Sequence, residues 1–108
     1  MEVGERPEGG LRIALSGELD LENSARIDAT LAELQAGVPD VHLDLRELTF
    51  IDSSGARSIW SAHVRARDGG GSLSVLVAPG AVRRALAVTG LDGELTLIED
   101  GRPGDGAA

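Results

Sequence analysis

Leu43-Asp44-Leu45-Arg46-Glu47-Leu48-Thr49-Phe50-Ile51-Asp52-Ser53-Ser54-Gly55 joins two kinds of periodicity in one stretch. Val41, Leu43 and Leu45 alternate with His42 and Asp44, the period of a strand with one covered face, and the strand runs on through Thr49, Phe50 and Ile51. From about Ser54 to Arg67 the pattern predicts a helix. An acid, two hydroxyls and a glycine stand at the junction. Hydroxyls in such a place have two roles open to them: capping the coming helix, or standing exposed on it to carry chemistry such as phosphorylation.

Upstream of this stretch, Leu11, Ile13 and Leu15 alternate with Arg12, Ala14 and Ser16, which predicts a second half-buried strand after the turn signal Glu8-Gly9-Gly10. The segment from Glu2 to Arg6 is a candidate edge strand beside it. Between the two strands, Ile27, Leu31 and Leu34 recur at helical spacing over about Asn23 to Gln35. Asn23 or Ser24 can cap that helix, and Gly37 and Pro39 close it. Downstream, Gly69 to Gly71 is a loop, and Leu73, Val75 and Val77 predict another strand. Pro79 suits the first turn of a short helix ending before Gly90, and Leu95 to Ile98 reads as a last strand. Residues 100–108 contain no large apolar side chain and read as a disordered tail behind a domain spanning 1–99.

Strands that alternate with helices predict an α/β fold in which crossover helices join parallel neighbours. Three of the strands alternate instead of being apolar throughout, so the expected form is a small mixed sheet of four to five strands. Helices lie mainly on one face, and the other face is partly open. With one phenylalanine, one tryptophan and no tyrosine, the core must be aliphatic.

The 108 residues suit one domain, able to bury roughly two thirds of its unfolded surface. The absence of cysteine excludes disulfides and thiolate metal sites, and no apolar run approaches the roughly 20 residues needed to span a bilayer. The first ten residues lack the regions of a signal peptide, so a cytoplasmic location with no membrane partner is expected. All ten cations are arginines, and they are scattered through a chain of net charge -8, which argues against nucleic acid as a partner.

The Asp52 to Gly55 segment follows the carboxyl end of a strand, where α/β folds place binding sites, and Gly55 removes bulk beside Ser54. A phosphate on Ser54 would lie near a helix amino terminus, where free N–H groups favour negative charge. Gly17, Glu18, Leu19 and Asp20 form a second, acidic turn after the Leu11 to Ser16 strand. It shares the same edge if the two strands are parallel neighbours. Glu18, Asp20 and Asp52 near Ser54 would repel a new dianion, a physical basis for a switch.

Three ordered segments carry a family resemblance: Leu15 to Asp20, Leu43 to Gly55, and Val82-Arg83-Arg84-Ala85-Leu86-Ala87-Val88-Thr89-Gly90-Leu91. Together they resemble the STAS domain of bacterial anti-sigma-factor antagonists over about Leu11 to Ile98. The resemblance implies a non-enzymatic protein that binds an anti-sigma factor serine kinase of the histidine-kinase-like ATPase type. That kinase phosphorylates the second serine of the motif, here Ser54, and releases the antagonist. A serine phosphatase restores binding, so the switch acts on transcription. The partner-binding residues it implies are Gly17, Glu18, Asp20, Asp52, Ser53, Ser54, Gly55, Ala56 and Arg57.

Two positions depart from the family pattern: Ala56 replaces a larger aliphatic residue, and Arg57 adds a charge beside the acceptor that is able to alter partner choice or to pair with the phosphate. A further helix that often ends the family is replaced here by Gly, Pro and Asp after Glu99. STAS-like domains also serve as subunits of lipid-transport ATPase complexes or as sensory scaffolds, which is the alternative reading.

His63 falls four residues after Ile59 and reads as a buried histidine on the inward helix face, with no second ligand at metal spacing. Trp60 reads as partly buried packing, and His42 as a residue of the open sheet face. An esterase using Ser54 lacks both a nucleophile elbow and a histidine placed as base. Gly69 to Gly71 lacks the order and ending of a phosphate loop, so no cofactor is expected.

Overall fold

The computed structural model describes residues 1–7 and 9–99. Strands β1 (Glu2–Glu5) and β2 (Leu11–Leu19) lead to helix α1 (Ser24–Gln35), then β3 (Asp40–Ile51), α2 (Ser53–Asp68), β4 (Ser72–Val77) and α3 (Ala81–Val88). A short 3-10 turn, Leu91–Gly93, precedes β5 (Thr96–Glu99). The five strands lie side by side in chain order; β1 is antiparallel to β2 and all other pairs are parallel. Each crossover therefore steps one strand in the same direction. Right-handed crossovers of that kind bring their helices to one face of the sheet.

The alternation read from the sequence assigns the two faces. Ile13 and Leu15, Val41, Leu43 and Leu45, and Leu73, Val75 and Val77 are all buried, and form one cluster with Leu31, Ile59, Ala62, Ala66, Val82 and Leu86 of the helices. On the other face Arg12, His42, Ser74 and Thr96 stand in register across β2 to β5, none of them fully buried. The mixed α/β sheet with one helical face and one partly open face is as the periodicity predicts.

Local differences have identifiable causes. Asn23 occupies the cap position of α1, but its side chain makes no cap bond. Its Oδ1 instead accepts from the Asp20 N–H at 3.0 Å, and its Nδ2 donates to the Glu18 carbonyl at 2.7 Å. The side chain thus ties down the turn before the helix. Pro79 is not in the first turn of α3: Gly80 flanks that helix, which starts at Ala81. The acidic segment after Ser16 is not a free turn either, because β2 continues through Leu19, pairing Glu18 with Phe50 and Leu19 with Ile51. Two register shifts, each adding a residue to β3, fall between Ala14 and Ser16 and between Gly17 and Glu18, and Gly17 adopts φ 83°, a conformation that costs a glycine little. The sequence-predicted tail at 100–108, and with it the expectation that a terminal helix is missing or replaced, lies outside the described residues.

Candidate functional site

β2 and β3 end together, and α2 begins where they end. Asp52 leaves the sheet with an extended backbone and caps α2: its Oδ1 accepts from the Gly55 N–H at 2.9 Å. The other carboxylate oxygen, Oδ2, accepts from the Leu21 N–H at 3.1 Å, across to the segment after β2. One side chain thus satisfies an otherwise unpaired helix donor and joins the two loops. Two further bonds reinforce the joint: the Asp52 N–H donates to the Leu19 carbonyl at 3.2 Å, and the Thr49 side-chain Oγ1 to the Gly17 carbonyl at 3.0 Å.

Gly55 decides how closely the helix sits. A Cβ at this position would lie 2.5 Å from the Leu19 carbonyl oxygen and 2.7 Å from Ile51 Cγ1. Only glycine lets the first turn of α2 rest on the ends of β2 and β3, and that contact sets the height at which the preceding serines stand. Ser53 is exposed and Ser54 half-buried in this first turn. With Asp52 as the cap, neither hydroxyl is needed for it. Ser54 Oγ makes no hydrogen bond among the described residues, although its carbonyl accepts from Ser58 Oγ at 3.3 Å.

Two grooves flank this turn. On the α1 side, Leu21, Ser24, Asp28, Ser54, Arg57 and Ser58 help line a groove of mixed polar and apolar character, about 220 Å³ in volume. On the α3 side, Ser53, Ala56, Arg57, Trp60, Thr89 and Leu91 line a more apolar one of about 200 Å³. The two serines therefore face different surfaces, and Arg57 borders both. Ala56, at 2% exposure, belongs to the core and shapes the second groove from beneath. Around the sheet edge, Glu18 is exposed, Asp20 is half-buried with Oδ1 accepting from the Glu22 N–H at 3.1 Å, and Leu21 and Phe50 present apolar side chains to solvent.

His63 is displaced from the inward face. The buried track of α2 runs through Gly55, Ala56, Ser58, Ile59, Ala62 and Ala66, and His63 sits half-buried on its flank with its ring 5.2 Å from that of Trp60. Trp60 packs against the core as a partly buried side chain. Among the described residues no cluster of His, Cys, Asp or Glu could hold a metal, and no helix is long and apolar enough to cross a membrane.

One cluster escaped the sequence reading. Asp44, 1% exposed on the otherwise open sheet face, receives the Arg12 guanidinium from β2 and the Arg46 guanidinium at 3.0 Å. The Arg46 N–H also donates to Asp44 Oδ1 at 3.0 Å. Burial disfavours the ionised carboxylate, but the Arg46 and Arg12 hydrogen bonds outweigh it and hold the carboxyl below its ordinary range. Neighbouring His42 is held below its ordinary value by burial and by Arg6, with Asp44 opposing and Arg12 and Arg46 adding to the effect. The signal was present in the sequence: Arg12, Asp44 and Arg46 occupy outward positions of strands at the sheet centre, where charges need partners.

The fold is shared with proteins of known structure. An anti-sigma factor antagonist from Mycobacterium paratuberculosis superposes with a TM-score of 0.79 at 24% identity, covering 89% of this chain and 81% of that one. The antagonist SpoIIAA in its unphosphorylated form gives 0.76 at 20%, covering 92% and 86%. The Bacillus cell fate determinant SpoIIAA in the phosphorylated form gives 0.64 at 18%, covering 92% and 89%. No curated protein sequence matches. The family model described as "Mlab, STAS domain" matches residues 4–99, nearly all of the described chain. A five-stranded sheet in chain order, helices on one face and an Asp-Ser-Ser-Gly turn at the carboxyl edge thus meet in a chain that belongs to the STAS domain family.

Proposed function

We propose that the protein is an anti-sigma-factor antagonist, a non-enzymatic switch that binds a kinase-type anti-sigma factor and is released when Ser54 is phosphorylated. The observation that carries this reading is the state of Ser54. Ser54 stands in the first turn of α2, lining the groove between α1 and α2, and its hydroxyl makes no hydrogen bond among the described residues, while Asp52 caps the helix in its place. The antagonist structures that share the fold, one of them phosphorylated, support it.

In the proposed reaction Ser54 Oγ attacks the γ-phosphorus of ATP held by the partner kinase. The bond to the bridging oxygen breaks, ADP leaves, and the hydroxyl proton passes to a base of the kinase. The docking surface comprises the ends of β2 and β3 and the first turn of α2: Gly17, Glu18, Asp20, Asp52, Ser53, Ser54 and Arg57, with buried Gly55 and Ala56 supporting it from beneath. Exposed Leu21 and Phe50 add apolar area to it. A phosphate of about -1.5 to -2 charge placed there deepens the negative charge of a surface that already carries Glu18, Asp20 and Asp52. Hydrolysis by a serine phosphatase restores the neutral Ser54 hydroxyl.

Incubation with the cognate kinase-type anti-sigma factors and ATP, followed by mass spectrometry, should place one phosphate on Ser54. Ser54→Asp should weaken partner binding without changing the unfolding midpoint, and Ser54→Ala should bind normally but resist release. If no cognate kinase modifies Ser54, the switch is refuted and a subunit role in a lipid-transport ATPase complex or a sensory scaffold takes its place.

A further inference from the structure

Arg57 is exposed, borders both grooves beside the first turn of α2, and has no hydrogen bond or ion pair among the described residues. Arg65, further along α2, is by contrast held by Gln35 Oε1 and by Asp28 Oδ1, each at 3.0 Å. Arg57 follows Ser54 by three residues, the spacing that makes two side chains neighbours on one helix face, about 5–6 Å apart at Cβ. Both line the groove between α1 and α2. Of the carboxylates near this groove, Asp28 is ion-paired with Arg65, and Asp52 accepts from the Gly55 and Leu21 N–H groups.

We propose that Arg57 is the internal counter-ion of a phosphate on Ser54, so that phosphorylation draws Arg57 away from the docking surface and onto the modified serine. The proposal rests on the phospho-acceptor role of Ser54. The planar guanidinium can meet two phosphate oxygens at once, a geometry that an ammonium matches less well. Modification then has two effects on a partner: it adds negative charge and withdraws the one cation among the described residues that borders both grooves. The phosphorylated chain is stabilised by its own residues, without help from the partner.

The test uses the full chain with phosphoserine genetically encoded at position 54, which makes the result independent of any kinase. Titration followed by ³¹P NMR reports the second ionisation of the phosphate, near 6 for an unperturbed phosphoserine. The wild-type chain should titrate below that value, and Arg57→Gln should move it up by about half a unit. Arg57→Lys should recover part of the shift. Arg67→Gln removes the same charge at the opposite end of α2 and should leave the titration unchanged. Coincident curves for the wild type and Arg57→Gln, or an equal shift in Arg67→Gln, overturn the proposal. Failure of every cognate kinase to modify Ser54 would instead refute the switch while leaving this titration interpretable.

Discussion

Asp52 takes the capping role that four adjacent polar or small residues left open, and the choice frees both serines. Asp52→Ala removes the acceptor for Gly55 and Leu21 N–H groups together, so it should lower unfolding free energy by about 1–2 kcal/mol in urea titrations. Asp52→Asn should keep most of that stability. Gly55→Ala should cost about 1–3 kcal/mol by the same measurement, because its methyl would collide with the Leu19 carbonyl and Ile51. The location of the site was legible from these residues alone, since an acid, two serines and a glycine between a strand and a helix is a local pattern. Which residue caps was not. That depends on the backbone angle at which Asp52 leaves the sheet and on Leu21, a residue 31 positions away in the chain.

At the level of elements, alternation identified the strands and helical spacing the helices, but neither could show where alternation resets. Buried positions of β3 run Leu43, Leu45, then Leu48 and Ile51, because two register shifts add residues to this strand relative to β2. The Arg12, Asp44 and Arg46 cluster belongs to the same level, since it cross-links β2 to β3 on the face away from the helices. Asp44→Ala would leave two guanidinium groups without their shared carboxylate, the Arg46 side chain being only 4% exposed. The expected loss is about 3 kcal/mol or more, read as a lower urea midpoint with an unchanged slope.

For the whole molecule, the same cluster sets how stability responds to pH. His42 binds a proton less readily in the folded chain than in the unfolded one, so its contribution is fully present above its unfolded value of about 6.5 and is lost as pH falls through its lowered folded value. Asp44 behaves in the same direction at lower pH: its contribution is present above about 3.9 and lost as pH falls through its depressed folded value. Thermal midpoints measured from pH 7.5 downward should decline first below about 6.5 and more steeply below about 4. His42→Gln should remove the first decline and keep the second.

The order of elements, the aliphatic core and the place of the Asp52 to Gly55 turn were all determined by the sequence, because each rests on residues within one or two turns of one another. Covalent geometry sets those spacings before any tertiary contact forms. The tertiary structure decided the rest. It put Leu21 against Asp52 and Arg12 against Asp44, and it opened separate grooves beside Ser53 and Ser54 with Arg57 between them. Such contacts follow from strand register, bulges and the depth at which a helix rests on a sheet. These are properties of packing between segments more than thirty residues apart, and local periodicity carries no record of them.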